Sequence, residues 1–191
     1  MIRIFHWFLV ALFITLFMTG NNNNGGDTIH IISGYLLTSF VLARIVWGFM
    51  GDENALWHNY LYSLKTTFNY LLKLSSLTPA KFKTHNPAGG TMILIMIIML
   101  VAIIISGLLI QSLFELEGIF LLLATYVNDS QALIIKNIHL FLSYILLIAI
   151  GFHISGVIYS SYIYKANFPM MMITGKITFF SNKKEVNNEP I

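Results

Sequence analysis

The side chains best suited to hold a redox metal are histidines, and the 191-residue chain has six of them. Four stand in or at the edges of long apolar runs: His6, His30, His139 and His153. An ionisable group in such surroundings is costly and is functional by default. His58 and His85 lie in the long polar stretch between runs and are not expected to be ligands. His139 and His153 are 14 positions apart. On a helix that is about 40° short of four full turns, so they share one face, about 21 Å apart along the axis. His30 and Arg44 repeat the same spacing. Arg44 therefore lies on the His30 face, where a cation could meet an anionic cofactor group. Gly34 follows His30 by one turn and would let a flat ring approach the backbone, close helix packing being the alternative use.

These positions need elements to hold them. Hydrophobic residues make up 57% of the chain and charged residues 10%, against roughly 25% charged in a soluble domain. So apolar a chain cannot cover a water-facing surface, and it reads as an all-α integral membrane four-helix bundle. A span needs about 20 mainly apolar residues. Four candidates meet this, at about 4–19, 28–47, 92–113 and 133–164, within one membrane domain covering 1–191. A signal peptide is the competing reading of the first run, but Met18-Thr19-Gly20 leads into an Asn/Gly turn and not a cleavage site. From Leu56 to Leu77, Trp57, Tyr60, Tyr62, Phe68 and Tyr70 mix with Lys65 and Lys73. That mixture predicts an additional amphipathic helix lying in the interface. Ile119 to Val127 is apolar but too short to span, and is expected to be interfacial or re-entrant. The polar tail 183–191 is expected to be disordered.

The net charge of +3 could suggest nucleic acid. In so apolar a chain it marks a membrane side instead, and no nucleic-acid partner is expected. With the N-terminus inside, Arg3, Arg44, Lys65, Lys73, Lys81, Lys83, Lys165, Lys176, Lys183 and Lys184 all fall on the cytoplasmic side. Of the 11 basic residues only Lys136 falls outside. Both termini are therefore expected in the cytoplasm. Span direction then sorts the histidines by depth. His6 and His153 lie near the inner face, and His30 and His139 near the outer face.

Two ligands per level suit one chemistry best. Structural zinc takes four protein ligands and catalytic zinc usually three. A porphyrin supplies four nitrogens and needs two axial ligands. The chain has no cysteine, so disulfides, iron–sulfur clusters, thiolate ligation and covalent haem attachment are excluded. Two histidine pairs thus point to two haem b groups, each six-coordinate. Such groups pass electrons and do not readily bind oxygen. A haem-free membrane transport protein is the alternative from another class, and it predicts no visible absorbance.

Several local patterns agree. Arg3-Ile4-Phe5-His6-Trp7 is followed by Thr19-Gly20, then by His30 with Gly34-Tyr35, and by Arg44 with Val46-Trp47-Gly48. His85-Asn86-Pro87-Ala88-Gly89-Gly90 precedes Thr91-Met92. His139, His153-Ile154-Ser155-Gly156-Val157, Ser161 and Met172-Ile173-Thr174-Gly175-Lys176 close the series. Over nearly its whole length the chain resembles the bacterial cytochrome b-561 family, which is similar to the b-type cytochrome subunit of nickel–iron hydrogenases. The resemblance implies four spans, two bis-histidine haems, and electron transfer across the inner membrane between a redox partner and the quinone pool. Partners so implied are membrane lipid, quinone, and a cytochrome c, hydrogenase or dehydrogenase subunit, for which this chain could be the anchor; a homodimer is a further form it could take. Whether the chain is itself an enzyme or a component of one is left open. The polar turn around His85-Asn86-Pro87 is a candidate for quinol exchange, with an ordinary helix-start turn as the simpler use. One departure stands out. Many relatives carry a histidine followed by Glu-Asn-Leu before the terminal Met-x-Thr-Gly, where this chain has Tyr164 and then Ala166-Asn167-Phe168.

Overall fold

The structure, a computed structural model, describes residues 2–20, 27–75, 86–176 and 178–180. The Asn/Gly turn, Lys81, Lys83, His85 and the tail 183–191 lie outside the described residues. Four helices are long and apolar enough to cross a membrane. They are α1 (Ile2–Gly20), α2 (Thr28–Met50), α4 (Pro87–Phe114) and α6 (Asp129–Ile163). Three shorter helices accompany them: α3 (Leu64–Ser75), α5 (Leu121–Ala124) and α7 (Phe168–Thr174). The protein is a helical membrane bundle. Among the described residues, β pairing is limited to a single bridge between Ala166 and Phe179.

Helix ends follow capping chemistry. The Asp27 side chain accepts from Ile29 N at the start of α2. Asn86 accepts from Gly89 N and Pro87 occupies the first turn of α4, where its missing N–H costs nothing. Asn86 and Pro87 thereby act as a helix start, which accounts for this turn without a ligand. Asn128 and Gln131 form a reciprocal capping box on α6. At 35 residues, α6 is about 52 Å long and outruns a hydrocarbon core of about 30 Å. In lipid a hydroxyl must find an internal acceptor. Thr15, Thr19, Ser143 and Ser155 accordingly donate back to carbonyls of their own helices.

The main helix contacts run from α1 to α2, α2 to α4 and α4 to α6. Among the described residues, α6 has no comparable backbone contact with α1 or α2. Side chains bridge that seam instead. Leu37 and Val41 of α2, Leu100 of α4 and Leu146 of α6 form the buried core. Leu37 is seven residues from both His30 and Arg44, and Leu146 is seven from both His139 and His153. The core therefore sits midway between the two histidine levels.

Two parts of the fold differ from the sequence reading. The amphipathic helix is shorter than expected, because residues before Leu64 fold as two 3-10 turns, Glu53–Ala55 and Trp57–Asn59. Trp57 and Tyr60 pack under α2 and do not join the helix. The segment after α6 also forms a helix, α7, that hydropathy does not reveal. Arg3 Nη1 donates to Ile173 O and Trp7 Nε1 to Met172 O, both at 3.1 Å. These bonds serve carbonyls that the end of α7 leaves open. Gly175 ends α7 at φ 80°, against the Arg3 guanidinium. The terminal Met-x-Thr-Gly pattern is thus a helix end clasped to the start of α1.

Candidate metal centre: two histidine pairs

The His30 ring comes from α2 and the His139 ring from α6. Their centroids are 6.4 Å apart, at 74°. An imidazole nitrogen binds a first-row metal at about 2.0–2.1 Å and lies about 1.1 Å from its ring centre. Two imidazoles on one metal therefore place their centres about 6.3 Å apart. The observed separation is of the size that two imidazoles sharing one metal would need.

Each ring is held by the neighbouring helix in the same manner. His30 Nδ1 lies 3.1 Å from Leu16 O and 3.1 Å from Thr19 Oγ1 of α1. His139 Nδ1 lies 3.2 Å from Ile103 O and 2.9 Å from Ser106 Oγ of α4. A carbonyl only accepts, so Nδ1 carries the proton in both rings and Nε2 presents its lone pair. Such bonds fix the tautomer and orientation of a metal-binding imidazole. A glycine follows each hydroxyl. A Cβ on Gly20 would lie 3.0 Å from His30 Cε1, and one on Gly107 would lie 3.1 Å from His139 Cε1.

At the other end of the bundle, His6 of α1 and His153 of α6 lie close enough to interact electrostatically. His6 Nδ1 is buried without a hydrogen-bond partner among the described residues. Arg44 is buried at the same end of α2. Its guanidinium carbon lies 4.4 Å over the Trp57 ring and 5.7 Å from that of Tyr60. Trp57 Nε1 in turn donates to Ile45 O at 3.1 Å. Trp57 fills the space above Gly48, where a Cβ would collide with its indole ring. Burial pushes the Tyr60 phenol above its ordinary pKa, although the Arg44 cation pulls the other way.

Three buried polar atoms have no hydrogen-bond partner among the described residues: His6 Nδ1, Arg44 Nη1 and Trp47 Nε1. All belong to this end of α1 and α2. Buried polar groups are normally paired, so each unmet one asks for an explanation. A metal-bearing macrocycle with carboxylates would meet the Arg44 and Trp47 donors, whereas a His6 ring turned to a metal through Nε2 would keep its Nδ1 away from them. A Cβ on Gly34 would meet Leu16 Cδ2 of α1 at 4.0 Å, an ordinary contact distance. Among the described residues no three of His, Cys, Asp and Glu gather at one point. The donor set thus suits a group that brings most of its own ligands.

His58 is exposed on the 3-10 turn 57–59, away from both pairs. Tyr164 places its hydroxyl 3.1 Å from that of Tyr70 on α3. Reading the sequence misses Thr19, Ser106 and Gly107 as supports for the His30 and His139 rings. Their signal is a hydroxyl followed by glycine inside an apolar run.

An apolar four-helix bundle that brings half-buried imidazoles together and contains no thiol suits the class of b-type membrane cytochromes. A family model described as prokaryotic cytochrome b561 matches residues 1–175, and the chain belongs to that family. It is accordingly a haem b protein of membrane electron transfer. Comparison with curated proteins and with solved structures returned no match.

Proposed function

We propose that the chain is a diheme cytochrome of the bacterial inner membrane that carries electrons between a redox partner and the quinone pool. The observation that supports this reading is the approach of the His30 and His139 rings to 6.4 Å between α2 and α6. His30 and His139 would hold the outer haem, and His6 and His153 the inner one. Haem supplies the one-electron chemistry that the side chains lack. The residues contribute position and environment. Leu16, Thr19, Ile103 and Ser106 orient the outer imidazoles. Arg44, braced by Trp57, would meet a propionate at the inner level. Leu37, Val41, Leu100 and Leu146 keep water from the space between levels. Two histidines at each level would supply both protein ligands that a haem takes, which favours electron transfer over oxygen chemistry.

A reduced-minus-oxidised spectrum with haem quantitation tests the reading, and two low-spin haems per chain are expected. His6→Ala and His153→Ala should damage one spectral component, and His30→Ala and His139→Ala the other. Four variants that each kept two intact low-spin haems would sink the proposal.

A further inference from the structure

The outer rings share a support that His6 lacks. On α1 the sequence Leu16-Phe17-Met18-Thr19-Gly20 offers a carbonyl, a hydroxyl three residues on, and then a glycine. On α4 Ile103-Ile104-Ile105-Ser106-Gly107 repeats that order and spacing. The two segments come from different helices and serve different histidines. Thr19 gives its own hydroxyl hydrogen to Thr15 O at 2.7 Å, and Ser106 gives its hydrogen to Ile103 O at 2.9 Å. Each oxygen is therefore free to accept from Nδ1–H. Each outer imidazole shares its proton between a carbonyl and a hydroxyl, while His6 Nδ1 has no acceptor among the described residues.

We infer that these paired cradles set the outer centre at the lower reduction potential and leave the Arg44 end at the higher one. The inference rests on the histidine pairing proposed above. Donation from Nδ1–H raises the basicity of the opposite nitrogen. A more basic axial ligand stabilises the oxidised, more positive iron, and so lowers the potential. At the inner level that push is absent for His6. The Arg44 cation there favours the state with one positive charge fewer, which is the reduced one. Both effects have the same sign, so the chain biases an electron toward its Arg44 end. Thr19 and Ser106 are positioning residues in this scheme, because they act through the imidazoles. Gly20 and Gly107 keep each ring seated against its cradle, since a Cβ at either would press on the ring edge.

The test is a redox titration of the purified haem-loaded protein, following both low-spin components optically and by EPR. The component missing in His139→Ala identifies the outer centre, and it is expected to be the lower-potential one. Thr19→Val and Ser106→Ala should each shift that component upward and leave the other in place. Thr19→Ser keeps the acceptor and should retain the original value. Thr19→Val is nearly isosteric, so it decides the matter even if Ser106→Ala fails to assemble. The inference is overturned, with the pairing intact, if the outer component is the higher one. It is equally overturned if the cradle variants leave it unmoved or shift both components alike. If His30→Ala and His139→Ala remove different components, the pairing itself fails and takes the inference with it.

Discussion

Glycines at two positions have opposite surroundings, and this separates a packing role from a cofactor role. At Gly107 an added Cβ would press on His139 Cε1 at 3.1 Å. The ring cannot retreat freely, because Ser106 and Ile103 hold its Nδ1. Gly107→Ala is therefore expected to disturb the outer low-spin signal and spare the inner one, as read by EPR. At Gly34 an added Cβ meets protein only at 4.0 Å. Alanine is favoured over glycine in a helix by about 1 kcal/mol, so Gly34→Ala should leave the apoprotein as stable as before or more so. If the space beside His30 receives the macrocycle, the same change should lower the haem-to-protein ratio. Full haem content in Gly34→Ala would mean that this space serves something else.

Among the elements, α3 and α7 tie the bundle together at the Arg44 end. The Tyr70 hydroxyl on α3 meets Tyr164 at the end of α6. Burial first, then that hydrogen bond, holds the Tyr70 phenol above its ordinary pKa. A raised phenol pKa means the contact is fully present below the ordinary tyrosine value of about 10, and is lost only as pH rises through the higher one. Tyrosinate absorbance should therefore show a late-titrating tyrosine that Tyr70→Phe removes; an unchanged titration in that variant would refute the assignment. Tyr164→Phe should leave both low-spin signals in place, because no proposed ligand depends on it. The four spans were legible in the sequence because hydropathy is a local property. Other features were not. Trp57 under Arg44, Arg3 on α7 and the Thr19 and Ser106 cradles each join residues that are distant along the chain or sit on different helices. Within one helix Thr19 and Ser106 read only as hydroxyls bonded back to their own backbone. The aromatic run from Leu56 promised a longer interfacial helix because composition cannot tell Trp57 and Tyr60, which pack under α2, from Phe68, which stays exposed.

For the whole molecule, the ends of the bundle carry different charges. Arg3, Arg44, Lys65, Lys73 and Lys165 belong to the end where α1 begins and where α2 and α6 finish. Contacts hold these parts together there. Arg3 reaches α7, Tyr70 reaches Tyr164, and Arg44 meets the 57–60 turn. The opposite end holds Asp27, Glu115, Glu117 and Asp129, with Lys136 near them. Basic residues near span ends are retained on the cytoplasmic side, while acidic ones contribute little to the choice. The bundle should therefore insert with His6, His153 and Arg44 toward the cytoplasm and the His30–His139 pair toward the outside. A reporter active only outside the inner membrane, fused at Asn23 or Asn188, checks this directly. Activity is expected at Asn23 and not at Asn188. Activity at Asn188 alone would invert the bundle, and the lower-potential pair would then face the cytoplasm. Activity at both sites would mean an even number of crossings between them, where the four-helix bundle has three. One of the four helices would then not span, and His6 and His153 would no longer share a level.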